Sequence, residues 1–410
     1  MRVIVVLSLA LLGCEQVLGL DAYTLQDDQV ADAARGEPAP DVAVDELADA
    51  ALDELADAAL DELVDELADV TADTTVSDVA GDQVSEPTTL IEPEASADGA
   101  PSCEISCGAD GGDNCCTSLS VRGGTYYRTY SNNGSGPTGE ADPATVSSFR
   151  LDKYLVTVGR FREFVAALYP DSGMSVQPWL PVEGSGKHTH LNLGEGLVNG
   201  GATSPTGNIV YETGWDATDW STSITPTDSN LHCAGAWSAW TSGDDELPIN
   251  CVNWYEAYAF CIWDGGFLPS DAELEYASAT TQEREYPWGS AAPGIQYAIY
   301  DCDYPSGSSA CSSELDAAGA VNLAPVGQAP LGAGAWGQLD LAGELWAWTV
   351  DWAVSYFNPC VDCAMLVPGS GRAVRGGSFD SPDVVTASSR AARLPEFRQV
   401  DVGIRCARTP

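Results

Sequence analysis

The sequence predicts a mixed domain of short strands and short helices, rich in loops and cross-linked by disulfides, from about Val121 onward. Three observations lead there. Trp346, Trp348 and Trp352 recur at even spacing, which on a strand places them on one face as an aromatic wall. Two runs of helical period follow residues that cap helices: Phe161, Phe164, Val165 and Leu168 behind Thr157, and Trp254, Ala257, Tyr258 and Cys261 behind Asn253. Between them, residues 170–250 are rich in Gly, Ser, Thr, Pro and Trp and show few regular periods. A stretch of that length inside a domain is functional or held by cross-links.

The 410 residues carry a formal net charge of −44, unevenly spread. Only Arg2 and Arg35 are basic before Arg122. So acidic a balance argues against nucleic acid, which is bound by neutralising phosphates with Lys and Arg. Met1-Arg2 and the apolar run Val3 to Leu12 form a charged start and a core too short to span a bilayer. The run stops at Leu11-Leu12-Gly13-Cys14, which resembles a bacterial lipobox. Residues 1–13 then read as a lipoprotein signal peptide, with Cys14 acylated and the exported chain anchored to a membrane of the cell envelope. Residues 14–100 read as an acidic low-complexity tether, in which Asp45 to Leu52 repeats as Asp53 to Leu60 and again, shortened, to Leu67. A period of eight advances about 80° per repeat on a helix, so the leucines make no steady stripe. Dense like charge favours an extended, solvated chain.

Thirteen cysteines include Cys14, leaving twelve for the exported part, an even number that favours disulfides over metal thiolates. Cys103, Cys107, Cys115 and Cys116 cluster in a small cap, residues 101–118, whose internal pairing stays open. Cys302 with Cys311, and Cys360 with Cys363, would close short loops, and Cys233 and Cys251 bracket another. The Cys360-Val361-Asp362-Cys363 run follows Pro359 in an irregular segment, so a structural bridge is preferred to a redox or zinc motif. His188-Thr189-His190 would set two imidazoles on one strand face, but no ligand stands near them in sequence, and a structural role is preferred.

The remaining elements follow in order. Arg122 to Tyr127 is a strand behind a glycine turn, and Phe149 to Thr157 is another. Gly265-Gly266 ends the helix that Asn253 starts. Ser270-Asp271-Ala272-Glu273 is a capping box opening a helix to about Ala279, with Tyr286-Pro287-Trp288-Gly289 beyond it. The pair Gly376-Gly377 marks a backbone approached too closely, or bent too sharply, for side chains.

Three blocks in this order, Gly343-Glu344-Leu345-Trp346-Ala347-Trp348, Arg375-Gly376-Gly377-Ser378 and Gly403-Ile404-Arg405-Cys406-Ala407-Arg408, resemble the sulfatase-modifying-factor family of formylglycine-generating enzymes. The resemblance covers residues 119–410 and implies an irregular α+β fold, a C-type-lectin-like variant that is loop-rich and disulfide-bonded. It also implies a Cys261–Cys406 disulfide, while a second family bridge would join positions held here by Ser278 and Ala391. Leu155 replaces the family's usual Glu and is expected at the surface.

Enzymes of the family oxidise a substrate cysteine to formylglycine with two cysteines that bind copper. The matching positions here are Ser381 and Thr386, so copper and that chemistry are disfavoured; Trp348 and Ser378 match retained active-site neighbours. Family members hold calcium partly through the Asn and Glu of the tryptophan turn, matched here by Glu344 and Ala347. A calcium site on Glu344, Asp340 and backbone carbonyls stays open. The leading expectation is a tethered, non-catalytic module that binds a protein or glycan ligand through loops bearing Asp380, Asp383, Ser388, Ser389, Arg390, Arg393, Glu396 and Arg398. The alternatives are an oxidoreductase of the wider family, which includes non-haem iron enzymes, with a different metal site, and a structural envelope protein.

Overall fold

The computed structural model describes residues 101–103, 106–108, 111–170, 178–202, 204–233, 237–305, 322–382 and 385–410. The signal peptide, Cys14, the tether, Cys311 and Asp383 lie outside them.

Strands β1 (Ser106–Cys107) and β2 (Asp113–Asn114) pair antiparallel in the cap. Disulfides Cys103–Cys116 and Cys107–Cys115 staple it, which gives the pairing that the sequence left open. Strands β3 (Ser118–Val121), β4 (Gly124–Asn132), β5 (Pro137–Val146) and β6 (Phe149–Asp152) lead into helix α1 (Val158–Leu168). The Thr157 hydroxyl caps α1 by accepting the Arg160 amide at 3.3 Å. After β7 (Val198–Asn199) and the short α2 (Asp228–Leu231) come α3 (Trp254–Trp263) and α4 (Asp271–Ala279). Both α3 and α4 open with full capping boxes, Asn253 with Glu256 and Ser270 with Glu273.

The chain then enters β8 (Trp346–Trp352), β9 (Cys360–Val361), β10 (Cys363–Ala364), β11 (Arg372–Arg375), β12 (Arg390–Arg393), β13 (Val402–Gly403) and β14 (Ala407–Arg408). The central sheet runs β12-β11-β8-β13, with β11 antiparallel to β8 and β12, and β13 parallel to β8. Residue parity decides what each face meets. Trp348 and Arg372 turn toward α3, where the buried Trp348 donates its indole N–H to the Val252 carbonyl at 3.3 Å. Asp351 and Arg375 turn the other way, onto Asp271 and Glu275 of α4. Trp346, Trp348 and Trp352 therefore share the face that also holds Arg372, while the opposite face carries the ion-paired Arg375. Losing a ring as deeply buried as Trp348 would cost about 3–5 kcal/mol.

Three smaller sheets, β14-β6-β3, β4-β5-β9 and β10-β7, surround this centre. Disulfides Cys233–Cys251, Cys261–Cys406 and Cys360–Cys363 tie loops and helices to strands. Cys302 is also disulfide-bonded. Leu155 does not face solvent: it is 1% exposed, beside Val156, whose amide bonds the Ile404 carbonyl. An apolar residue suits that position because it is part of the main hydrophobic core. His188 lies in irregular chain and His190 in a turn, neither on a strand, and both rings pack against Phe267.

Candidate functional site

The Gly376-Gly377 pair sets the site up. Gly376 has φ +102° and its missing Cβ would lie 2.8 Å from the Leu341 carbonyl; Gly377 has φ +79°. Only glycine takes both the conformation and the approach. The bend delivers Ser378 into a tight loop. The Ser378 amide donates to the Ser381 Oγ at 3.0 Å, the two hydroxyls lie 3.0 Å apart, and the Ser378 hydroxyl donates to Asp380 Oδ1 at 2.6 Å. The Asp301 and Cys302 amides hold the loop by donating to the Ser381 and Phe379 carbonyls, and Phe379 stacks on Trp237. Thr386 is engaged elsewhere, its hydroxyl 2.9 Å from that of Ser389.

Copper does not fit this donor set. Ser381 and Thr386 are hydroxyls, each tied to a different serine, and no cysteine occurs between Ser378 and Gly403. A serine hydroxyl neither ionises near neutral pH nor makes a soft ligand.

Calcium does not fit either. Asp340 Oδ2 accepts the Gly327 amide and Glu344 Oε1 accepts the Ala324 amide, at 2.8 and 2.9 Å. The Arg405 guanidinium donates to the Leu339 and Asp340 carbonyls, placing a cation where backbone oxygens would serve a metal. Among the described residues no three His, Cys, Asp or Glu gather at metal spacing. Burial raises the Glu344 carboxyl well above its ordinary range, and Asp340 adds to the shift. Burial also lifts Asp340, to about 6, against the pull of Arg405.

The expected ligand surface divides. Asp380 and Glu396 are exposed, as expected. Arg390 instead pairs with the buried Asp271, Arg398 clamps the buried Glu256, and Ser389 is 5% exposed. These side chains hold α3 and α4 in place, because a buried carboxylate left alone would be costly. Arg393 is part-buried and pairs with Asp401.

The histidines also acquire partners that sequence spacing hides. His188 Nδ1 lies 3.2 Å from both Glu212 oxygens, and Nε2 lies 3.2 Å from Glu273 Oε2. The two carboxylates face opposite ring nitrogens, so they clasp an imidazolium and do not converge on a metal. Burial opposes that charge, but Glu212 and Glu273 overcome it and raise the His188 pKa to about 10. A second buried cluster joins Arg160 and Arg408 to Asp152 and Asp264. The spacing of Asp271 and Glu275, four apart on α4, was the one local signal for the Arg375 cluster.

A loop-rich sheet and helix core carrying the tryptophan turn, the Gly-Gly-Ser bend and the closing Arg-Cys strand defines a class. Residues 108–410 match the sulfatase-modifying factor enzyme 1-like domain, and the chain belongs to that family. It is 33% identical over 174 residues to the hercynine oxygenase of Mycolicibacterium thermoresistibile, covering 39% of this chain and 35% of that protein. It is 31% identical over 177 residues to the formylglycine-generating enzyme of Streptomyces coelicolor, covering 40% and 54%. With the inactive C-alpha-formylglycine-generating enzyme 2 of Mus musculus it shares 30% over 163 residues, covering 40% and 49%. The chain thus spans between 35% and 54% of the length of these relatives. The solved structure of PvdO from Pseudomonas aeruginosa aligns over 77% of this chain and all (100%) of its own, at 16% identity and TM-score 0.42.

Proposed function

We propose that this chain is a non-catalytic member of its family, tethered to the cell envelope by a lipid on Cys14, that binds a ligand or partner. One observation carries the reading: the two positions that would hold the copper thiols are Ser381 and Thr386, bonded into separate hydroxyl pairs. A relative of similar identity that is named as inactive is in keeping with it. The exposed Asp380 and Glu396, with the part-exposed Ser388 and Arg393, are what remains of the polar surface for a protein or glycan ligand. Metal analysis of the purified full chain tests the reading. No stoichiometric copper or iron is expected, and either metal at one per chain would overturn it. Membrane fractionation tests the anchor: Cys14→Ser should release the chain, and unchanged membrane association would place the anchor elsewhere.

The second reading, an oxidoreductase with a different metal site, is favoured by relatives named hercynine oxygenase and formylglycine-generating enzyme. It would need ligands from His188, His190 or His232, and His188 is already committed to Glu212 and Glu273.

A further inference from the structure

Arg372 is a buried cation with no anion among the described residues bonded to it. It is 6% exposed, and its guanidinium lies between the indoles of Trp254 and Trp352, at 3.7 and 4.1 Å from the ring centres. Nη1 donates to the Val350 carbonyl at 2.6 Å. Nε is sealed and has no acceptor, and no acceptor among the described residues meets Nη2. Burial pulls the Arg372 pKa down to about 9.

Directly opposite Arg372 across the β11–β12 ladder stands Arg393. Its Nη2 donates to Asp401 at 2.7 Å, and its Nε is likewise sealed and unpartnered. Like charges facing across a ladder repel, and cation–π contact offsets only part of the cost of burying an unpaired charge. Other charges near Arg372 do not answer it. Asp351 points to the opposite face of the sheet, where it accepts the Asp271 and Met365 amides. Glu396 is exposed and makes no ion pair with Arg372 among the described residues, although the Tyr255 phenol feels both.

With Nη1 engaged, the free donors of Arg372 are Nε and Nη2, the two that form the side-on fork matching a carboxylate. We propose that the Arg372–Arg393 pair is a binding site for the carboxylate of a small organic or sugar acid, flanked by the partly exposed Trp352. This deepens, and rests on, the binding-module reading. The ligand must displace the contacts that seal Nε, and the partly exposed Trp352 and Arg393 side chains are the ones that can yield.

The test is thermal unfolding of the detergent-solubilised full chain titrated with potassium glucuronate and, separately, potassium succinate. Potassium chloride at equal ionic strength and neutral glucose are the controls. A saturable rise in melting temperature beyond the chloride effect is expected, with glucuronate alone pointing to a sugar acid and both probes to a general carboxylate site. Arg372→Lys keeps the charge but loses the fork and should weaken binding by about tenfold or more. Should Arg372→Lys fail to fold, Arg393→Gln, at the more exposed partner, should still weaken it. No saturable rise, or equal affinity in the parent, Arg372→Lys and Arg393→Gln, would overturn the proposal. That failure would leave the binding-module reading standing, because the metal analysis does not involve Arg372.

Discussion

The hydroxyls of Ser378 and Ser381 lie 3.0 Å apart, with the Ser378 amide donating to Ser381 as well. Ser381, which the family resemblance matches to a thiol position, closes the turn after the Gly-Gly bend. The partner position, Thr386, bonds Ser389 and takes no part in that turn.

His188 should be a stability anchor for the long loop that contains it. Its folded pKa, about 10, exceeds the ordinary 6.5. The stabilisation is therefore full below about pH 6.5 and is lost as pH rises toward 10. His188→Phe, leaving Glu212 and Glu273 buried and unpaired, should cost about 3–5 kcal/mol. Denaturant melts at pH 6 and pH 9 (roughly the ends of the window) measure both effects; a pH-independent parent would count against the clasp.

Glu344 should behave in the opposite sense to an ordinary surface acid. Burial raises its folded pKa, so its proton is retained when the unfolded chain has released it. The stability it confers is full below the unfolded value and falls as pH rises. Glu344→Gln should leave stability at low pH nearly unchanged and raise it at pH 8. Calcium and chelators should leave the melting temperature unmoved. A calcium-dependent rise that Glu344→Gln abolishes would reinstate a metal there.

Most of the fold was legible because its signals are local. Asn253 with Glu256, and Ser270 with Glu273, announce α3 and α4 within four residues. The even spacing of the β8 tryptophans announces a wall, and Gly376-Gly377 a bend. What stayed hidden depends on residues far apart in the chain. His188 meets Glu273 across 85 positions, and Arg375 meets Glu275 across 100. Leu155 read as a surface substitution because nothing near it in sequence shows that Val156 pairs with Ile404. The arginines expected to greet a ligand, Arg390 and Arg398, look free in sequence; only tertiary structure brings Asp271 and Glu256 to them.

The Cys261–Cys406 bridge links α3 to the residue preceding β14 and closes a separation of 145 residues. The chain-entropy account gives on the order of 4–5 kcal/mol for a loop of that size, with native strain able to lower it. Replacing both cysteines by alanine should lower the melting temperature by several degrees or more. An unchanged melting temperature would mean that the unfolded chain gains little freedom when the bridge is removed.

The claim that the family chemistry is absent is tested most directly by turnover. The reduced full chain, supplied with copper and oxygen, is incubated with a sulfatase-type cysteine peptide, and the product is followed by mass. Neither Ser381 nor Thr386 can form the thiolate, and no cysteine lies between Ser378 and Gly403 to replace them. The peptide is therefore expected to stay unchanged. Conversion of its cysteine to the aldehyde, abolished by chelating copper, would contradict the account.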